Sequence, residues 1–168
     1  MVSSLTRRNA MTLLAGATMM PQTALADDVI DLEWEDLLPK GQTVIPHDLQ
    51  NLIEHDGPNL SNQQPASTGV RSDWNGQIVR LPGFVVPIET KGTAVTAFIL
   101  VPYVGACIHV PPPPANQLVF VTTEEPYESK DLYIAVNVTG MFGVSAMSTH
   151  LAQIGYALSA EKIEPFRG

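Results

Sequence analysis

A single cysteine, Cys107, stands in this chain of 168 residues. A lone thiol makes no internal disulfide, so the fold must rest on its apolar core. The thiol is then a buried inert group, a ligand, a reactive group or an intermolecular link. Positive charge is also scarce: 9 Lys and Arg against 17 Asp and Glu give a formal net charge of −8, which disfavours nucleic acid and anionic lipid as partners. No apolar run is long enough to span a bilayer. The patterns GxSxG, GxxxxGKS, GxxxxGKT, GxGxxG and CxxC are missing, so serine-hydrolase, phosphate-loop, dinucleotide and dithiol chemistry find no support.

What the chain does have begins at its N-terminus. Arg7 and Arg8 precede an apolar stretch from Ala10 to Met20, and Ala24-Leu25-Ala26 forms a small-x-small cleavage site. Residues 1–26 therefore read as an export signal. The adjacent arginines resemble the twin-arginine type, with general secretion as the alternative route. Cleavage after Ala26 leaves 142 residues, with seven basic side chains against all 17 acidic ones, a formal charge of −10. No cysteine follows the cleavage site to carry a lipid, so a periplasmic chain without a membrane span is expected.

That length suits one domain with an N-terminal extension. Residues 27–72 read as an arm and linker. Leu32, Trp34, Leu37 and Leu38 give one apolar side before Pro39 and Gly41, and a second helical pattern over Pro46 to His55 places Leu49, Leu52 and Ile53 together. Residues 57–72, rich in Gly, Pro, Ser, Asn and Gln, show no periodicity. From Trp74 the pattern is β. Asn75-Gly76 signals a turn, and one long strand with a bend at Pro82-Gly83 is expected. Ala94 to Val101, Gln117 to Thr122, Leu132 to Thr139 and Tyr156 to Ile163 follow as further strands. Met147, Leu151 and Ile154 predict a short helix over Ser145 to Ile154. Glu124, Glu125, Glu128 and Asp131 read as a solvated acidic loop. The expected fold is mostly β: an OB-like Greek-key barrel over residues 73–168, with a short helix and a helical or extended arm.

Chemistry concentrates in Gly105-Ala106-Cys107-Ile108-His109-Val110, followed by Pro111 to Pro114 and Asn116. In an extended strand Cys107 and His109 share one face, while four prolines favour a stiff polyproline II segment. Thiolate and imidazole suit zinc or copper, so Cys107 and His109 form a candidate metal pair, completed by His150, His47, His55 or a carboxylate. For Cu(I), Met141 or Met147 would serve. The plain alternative is a buried cysteine beside a histidine bonded to backbone. A thiol enzyme is the third reading, with His109 lowering the pKa of Cys107 and Asn116 orienting the imidazole. Tyr103, Pro112, Pro113 and Asn116 are candidates for a binding edge or pocket.

The strings Val79-Arg80-Leu81-Pro82-Gly83-Phe84-Val85-Val86-Pro87, Phe98 to Tyr103, and GACIHVPPPPANQ resemble an uncharacterised family of exported bacterial proteins of unknown function, over roughly Trp34 to Phe166. The resemblance implies an envelope location, an OB-like core and, for some members, proximity to ABC transport systems. It implies no reaction. Two functions follow as expectations. One is a periplasmic accessory protein handling zinc or copper and assisting an envelope transport system. The other is a protein-binding module whose rigid proline edge docks an envelope partner.

Overall fold

The structure is a computed structural model and describes residues 28–42, 64–107, 112–128 and 134–167. Six strands follow in order: β1 Ile30–Asp31, β2 Ile78–Lys91, β3 Ala94–Val101, β4 Val119–Tyr127, β5 Val136–Ser148 and β6 Gln153–Pro165. The sheet order is β1-β2-β3-β4-β6-β5, and β2 pairs again with β5. β2 to β6 thus form a closed five-stranded barrel, with β4 and β6 as the parallel neighbours. This is the expected OB-like topology.

Closure depends on β2 serving two partners. Ile78 to Gly83 pair with β5, and Phe84 to Lys91 pair with β3. The change of partner falls at Pro82-Gly83, the expected bend, and the strand remains continuous through it. A Cβ at Gly83 would stand 2.8 Å from both Leu100 Cγ and the Val101 carbonyl oxygen. Glycine is what lets β3 approach there.

Alternation along the strands sorts the side chains into two cores. Val79, Leu81, Val85, Phe98, Leu100, Val119, Val121, Val138, Phe142, Tyr156 and Leu158 fill the barrel, joined by Leu32, Trp34 and Leu37 of the arm. The opposite face of the same strands carries Val86, Ile99, Val101 and Ile154, which gather with Ala106, Cys107, Leu118 and Ala152 into a second core outside the barrel.

Two expectations change. Ser145 to Ile154 form no helix: β5 runs to Ser148, Thr149 N–H donates to the Ala152 carbonyl at 2.9 Å, and β6 starts at Gln153. Met147 and Ile154 are cross-strand partners, so the spacing that imitated a helical stripe is a hairpin pair. The short helical turn among the described residues lies elsewhere, a 3-10 helix at Ala115–Gln117. Around Leu32 to Leu38 the chain makes successive turns, closed by Asp36 N–H to the Glu33 carbonyl and Leu38 N–H to the Glu35 carbonyl. The second helical pattern, Pro46 to His55, lies outside the described residues. No described helix is long and apolar enough to cross a membrane.

Candidate functional site: the strap over the barrel

The connection from β3 to β4 carries the signature, and from Pro102 to Cys107 it does not continue as a strand. After Val101 the chain turns, with φ of +85° at Gly105 and +64° at Cys107. A non-glycine residue in the left-handed region costs about 1–2 kcal/mol. It also breaks the extended backbone at Cys107 itself. Burial holds the residue in place: Cys107 is 5% exposed, within the second core. Burial pushes its thiol up from the ordinary 9.0 to about 12. A protonated, enclosed sulfur is neither nucleophile nor ready ligand.

The metal reading is therefore corrected. Among the described residues, no group of three or more His, Cys, Asp and Glu side chains is placed to hold a metal ion. His150 is exposed in the turn between β5 and β6, whereas Cys107 is packed inside. His109, His47 and His55 lie outside the described residues. Met141 is 53% exposed on β5 and takes no part in the cluster around Cys107, while Met147 packs against that cluster as an apolar side chain. Zinc and copper are thus withdrawn as cofactors.

The proline segment is a strap. Pro112 and Pro113 are buried, and Pro114 has φ −53° and ψ 152°, close to polyproline II geometry. Its end enters the 3-10 turn, where Gln117 N–H donates to the Pro114 carbonyl at 2.8 Å. The turn lies over β6 at Gly155, where a Cβ would stand 2.7 Å from the Ala115 carbonyl oxygen. Tyr103 is half-buried against the second core.

Side-chain amides fasten this strap to segments distant in sequence. Asn116, expected to orient an imidazole or line a binding edge, is 1% exposed. Its Nδ2 donates to the Gly69 carbonyl at 2.8 Å and to Thr68 Oγ1 at 3.2 Å. Gln117 Nε2 donates to the Trp34 carbonyl at 2.9 Å. Gln64 Nε2 donates to the carbonyls of Pro113 at 2.9 Å and Gln153 at 2.8 Å, and its Oε1 accepts from Gln153 N–H at 2.8 Å. The carbonyl oxygens of these two side chains, Asn116 Oδ1 and Gln117 Oε1, are buried without a partner among the described residues.

The arm is tied down from the other side. Trp34 Nε1 donates to the Pro82 carbonyl at 2.7 Å. Tyr156 hydroxyl donates to the Leu37 carbonyl and accepts from Arg71 N–H, both at 2.7 Å. Arg71 donates further to the Asp36 carbonyl at 2.9 Å and to Asp73 Oδ2 at 3.0 Å, and lies 4.5 Å from the Trp74 ring centre. That hydrogen bond holds the Asp73 carboxyl below the usual range.

Sequence reasoning did not single out Gln64, Arg71, Gln117 or Tyr156 for these roles. Gln64 and Arg71 sit in a stretch without periodicity. Tyr156 did offer a signal, since a tyrosine buried inside a strand requires a partner for its hydroxyl.

The comparisons agree with the architecture. The model of the family described as "Protein of unknown function (DUF3299)" matches residues 34–165, and the chain belongs to that family. No curated protein matches it. The crystal structure of a DUF3299 family protein from Pseudomonas aeruginosa PAO1 is 37% identical, with a TM-score of 0.71, covering 83% of this chain and 97% of that one.

Proposed function

We propose that this member of the uncharacterised family is an exported accessory module that binds a partner protein in the bacterial periplasm and carries out no reaction of its own. The observation that carries the reading is the fate of the signature. Cys107 packs in the second core against the outer face of β2, β3 and β6, Pro112 and Pro113 are buried, and Asn116 is tied to Thr68 and Gly69. In OB folds the outer face of the second and third barrel strands, here β3 and β4, commonly receives oligonucleotides or sugars. In this chain the strap covers it. The export signal read in residues 1–26 supports the compartment. The envelope transport systems implied by the family resemblance supply the partner class, a periplasm-facing transport subunit.

Cross-linking of the tagged full chain in intact cells, followed by fractionation, tests this. A discrete periplasmic cross-linked species should form and should persist in Cys107→Ala, because the thiol takes no part in contact. A chain recovered only as monomer, or a species lost with the thiol in a variant that remains folded, would contradict the proposal.

A further inference from the structure

The barrel does not close along its full length. β4 and β6 pair from Val119↔Tyr156 to Thr123↔Ala160, yet β4 continues to Tyr127 and β6 to Pro165. Beyond Ala160, β6 pairs with β5, from Lys162↔Thr139 to Pro165↔Val136. Its edge toward β4 has no ladder partner among the described residues. β4 departs through a wide bulge: Thr122 stands opposite Ala97 and Tyr127 opposite Val95, so four intervening residues face one. Thr123 Oγ1 donates to the Glu125 carbonyl at 2.8 Å and closes the bulge on itself, while Pro126 brings no N–H.

A cleft of about 410 Å³ opens between the strands, its walls including Thr123, Glu125, Tyr127, Glu128, Glu161 and Ile163. Tyr127 and Ile163 reach it from the barrel core, against which both pack. Lys162 also lines it, its ammonium engaged with Glu164 at 3.0 Å. Glu128 accepts a hydrogen bond from Thr93 at 3.3 Å. Glu125 and Glu161 make no ion pair among the described residues. A free strand edge recruits extended chain through main-chain hydrogen bonds, and side-chain pockets select the sequence.

We propose that this cleft receives an extended, lysine- or arginine-bearing segment of a partner protein, added as a strand to the edge of β6 that has no ladder partner among the described residues. Alternate side chains of that segment face Glu125 and Glu161. The inference rests on the partner-binding function above, and names where the contact lies and what chemistry it selects. The chain's net charge of −8 favours the encounter with a cationic segment.

A fluorescent peptide alternating valine and lysine, titrated into the full chain by anisotropy, tests it. Saturable one-to-one binding is expected, with none for the same peptide carrying glutamate. N-methylation at every second residue should weaken binding about tenfold or more, and so should Glu125→Gln with Glu161→Gln. Both residues are exposed, and an unchanged circular dichroism spectrum will confirm that the double variant folds. Absence of saturation, or an affinity indifferent to either change, overturns the proposal. In cells, a cross-linked species retained by the double variant would overturn the cleft and leave the partner-binding function standing. A species missing from the unaltered chain would remove that function itself.

Discussion

Tyr156 shows how much a single buried polar atom organises here. The ring fills the barrel, 5.1 Å from that of Phe142 between centroids, while its hydroxyl joins the Leu37 carbonyl to the Arg71 N–H. Tyr156→Phe keeps the ring and strands both backbone groups, an expected loss of about 1–3 kcal/mol in urea unfolding. Unchanged stability would show that the bridge contributes nothing. At Cys107 the sign of the pH effect follows from burial. The folded thiol titrates near 12 and the unfolded one near 9.0. Stability from keeping the thiol neutral is therefore complete below pH 9 and is lost as pH rises toward 12. The difference in stability between the unaltered chain and Cys107→Ala, followed through that window, should move against the cysteine. A pH-independent difference would contradict an enclosed thiol.

At the scale of elements, the strap and β6 are fitted to one another at Gly155. Gly155→Ala places a methyl 2.7 Å from a backbone oxygen, so the strap must lift. The expected cost is about 1–3 kcal/mol in thermal unfolding, with faster amide exchange at Leu118 and Gln153. Exchange confined to β6 would place the strain elsewhere. The same region explains what was legible in the sequence. Strands were readable where alternation is strong, as in Ala94 to Val101, and the prolines did announce a stiff segment. The helix at Ser145 to Ile154 was a misreading because Met147 and Ile154 meet across a hairpin, and a spacing of seven serves either geometry. A shared face for Cys107 and His109 was inferred from an extended backbone, and at Cys107 the backbone is not extended. The positive φ at Cys107 follows from packing and leaves no mark in residue type. Asn116 looked like a catalytic orienter; its partners, Thr68 and Gly69, lie in a stretch whose composition signals only a loop.

For the molecule as a whole, the arm is part of the barrel's core. Leu32, Trp34 and Leu37 share one apolar cluster with side chains of all five barrel strands, so arm and barrel should unfold together. Leu37 is fully buried, and Leu37→Ala should cost about 2–5 kcal/mol while unfolding remains a single transition by both tryptophan fluorescence and circular dichroism. Two separated transitions would show an arm that folds on its own account.

In the most chemically suggestive segment of this chain, the described residues Cys107, Pro112, Pro113 and Asn116 are buried and serve internal packing. Alkylation of Cys107 by iodoacetamide at pH 8, in the folded chain and in urea, tests this most directly. The thiolate fraction alone, between pKa values of 9.0 and about 12, predicts a folded rate about a thousandfold below the unfolded one, and enclosure lowers it further. A folded rate equal to or above that of the unfolded chain, falling when His109 is replaced by alanine, would contradict the account and return the thiol to the surface as a reactive group.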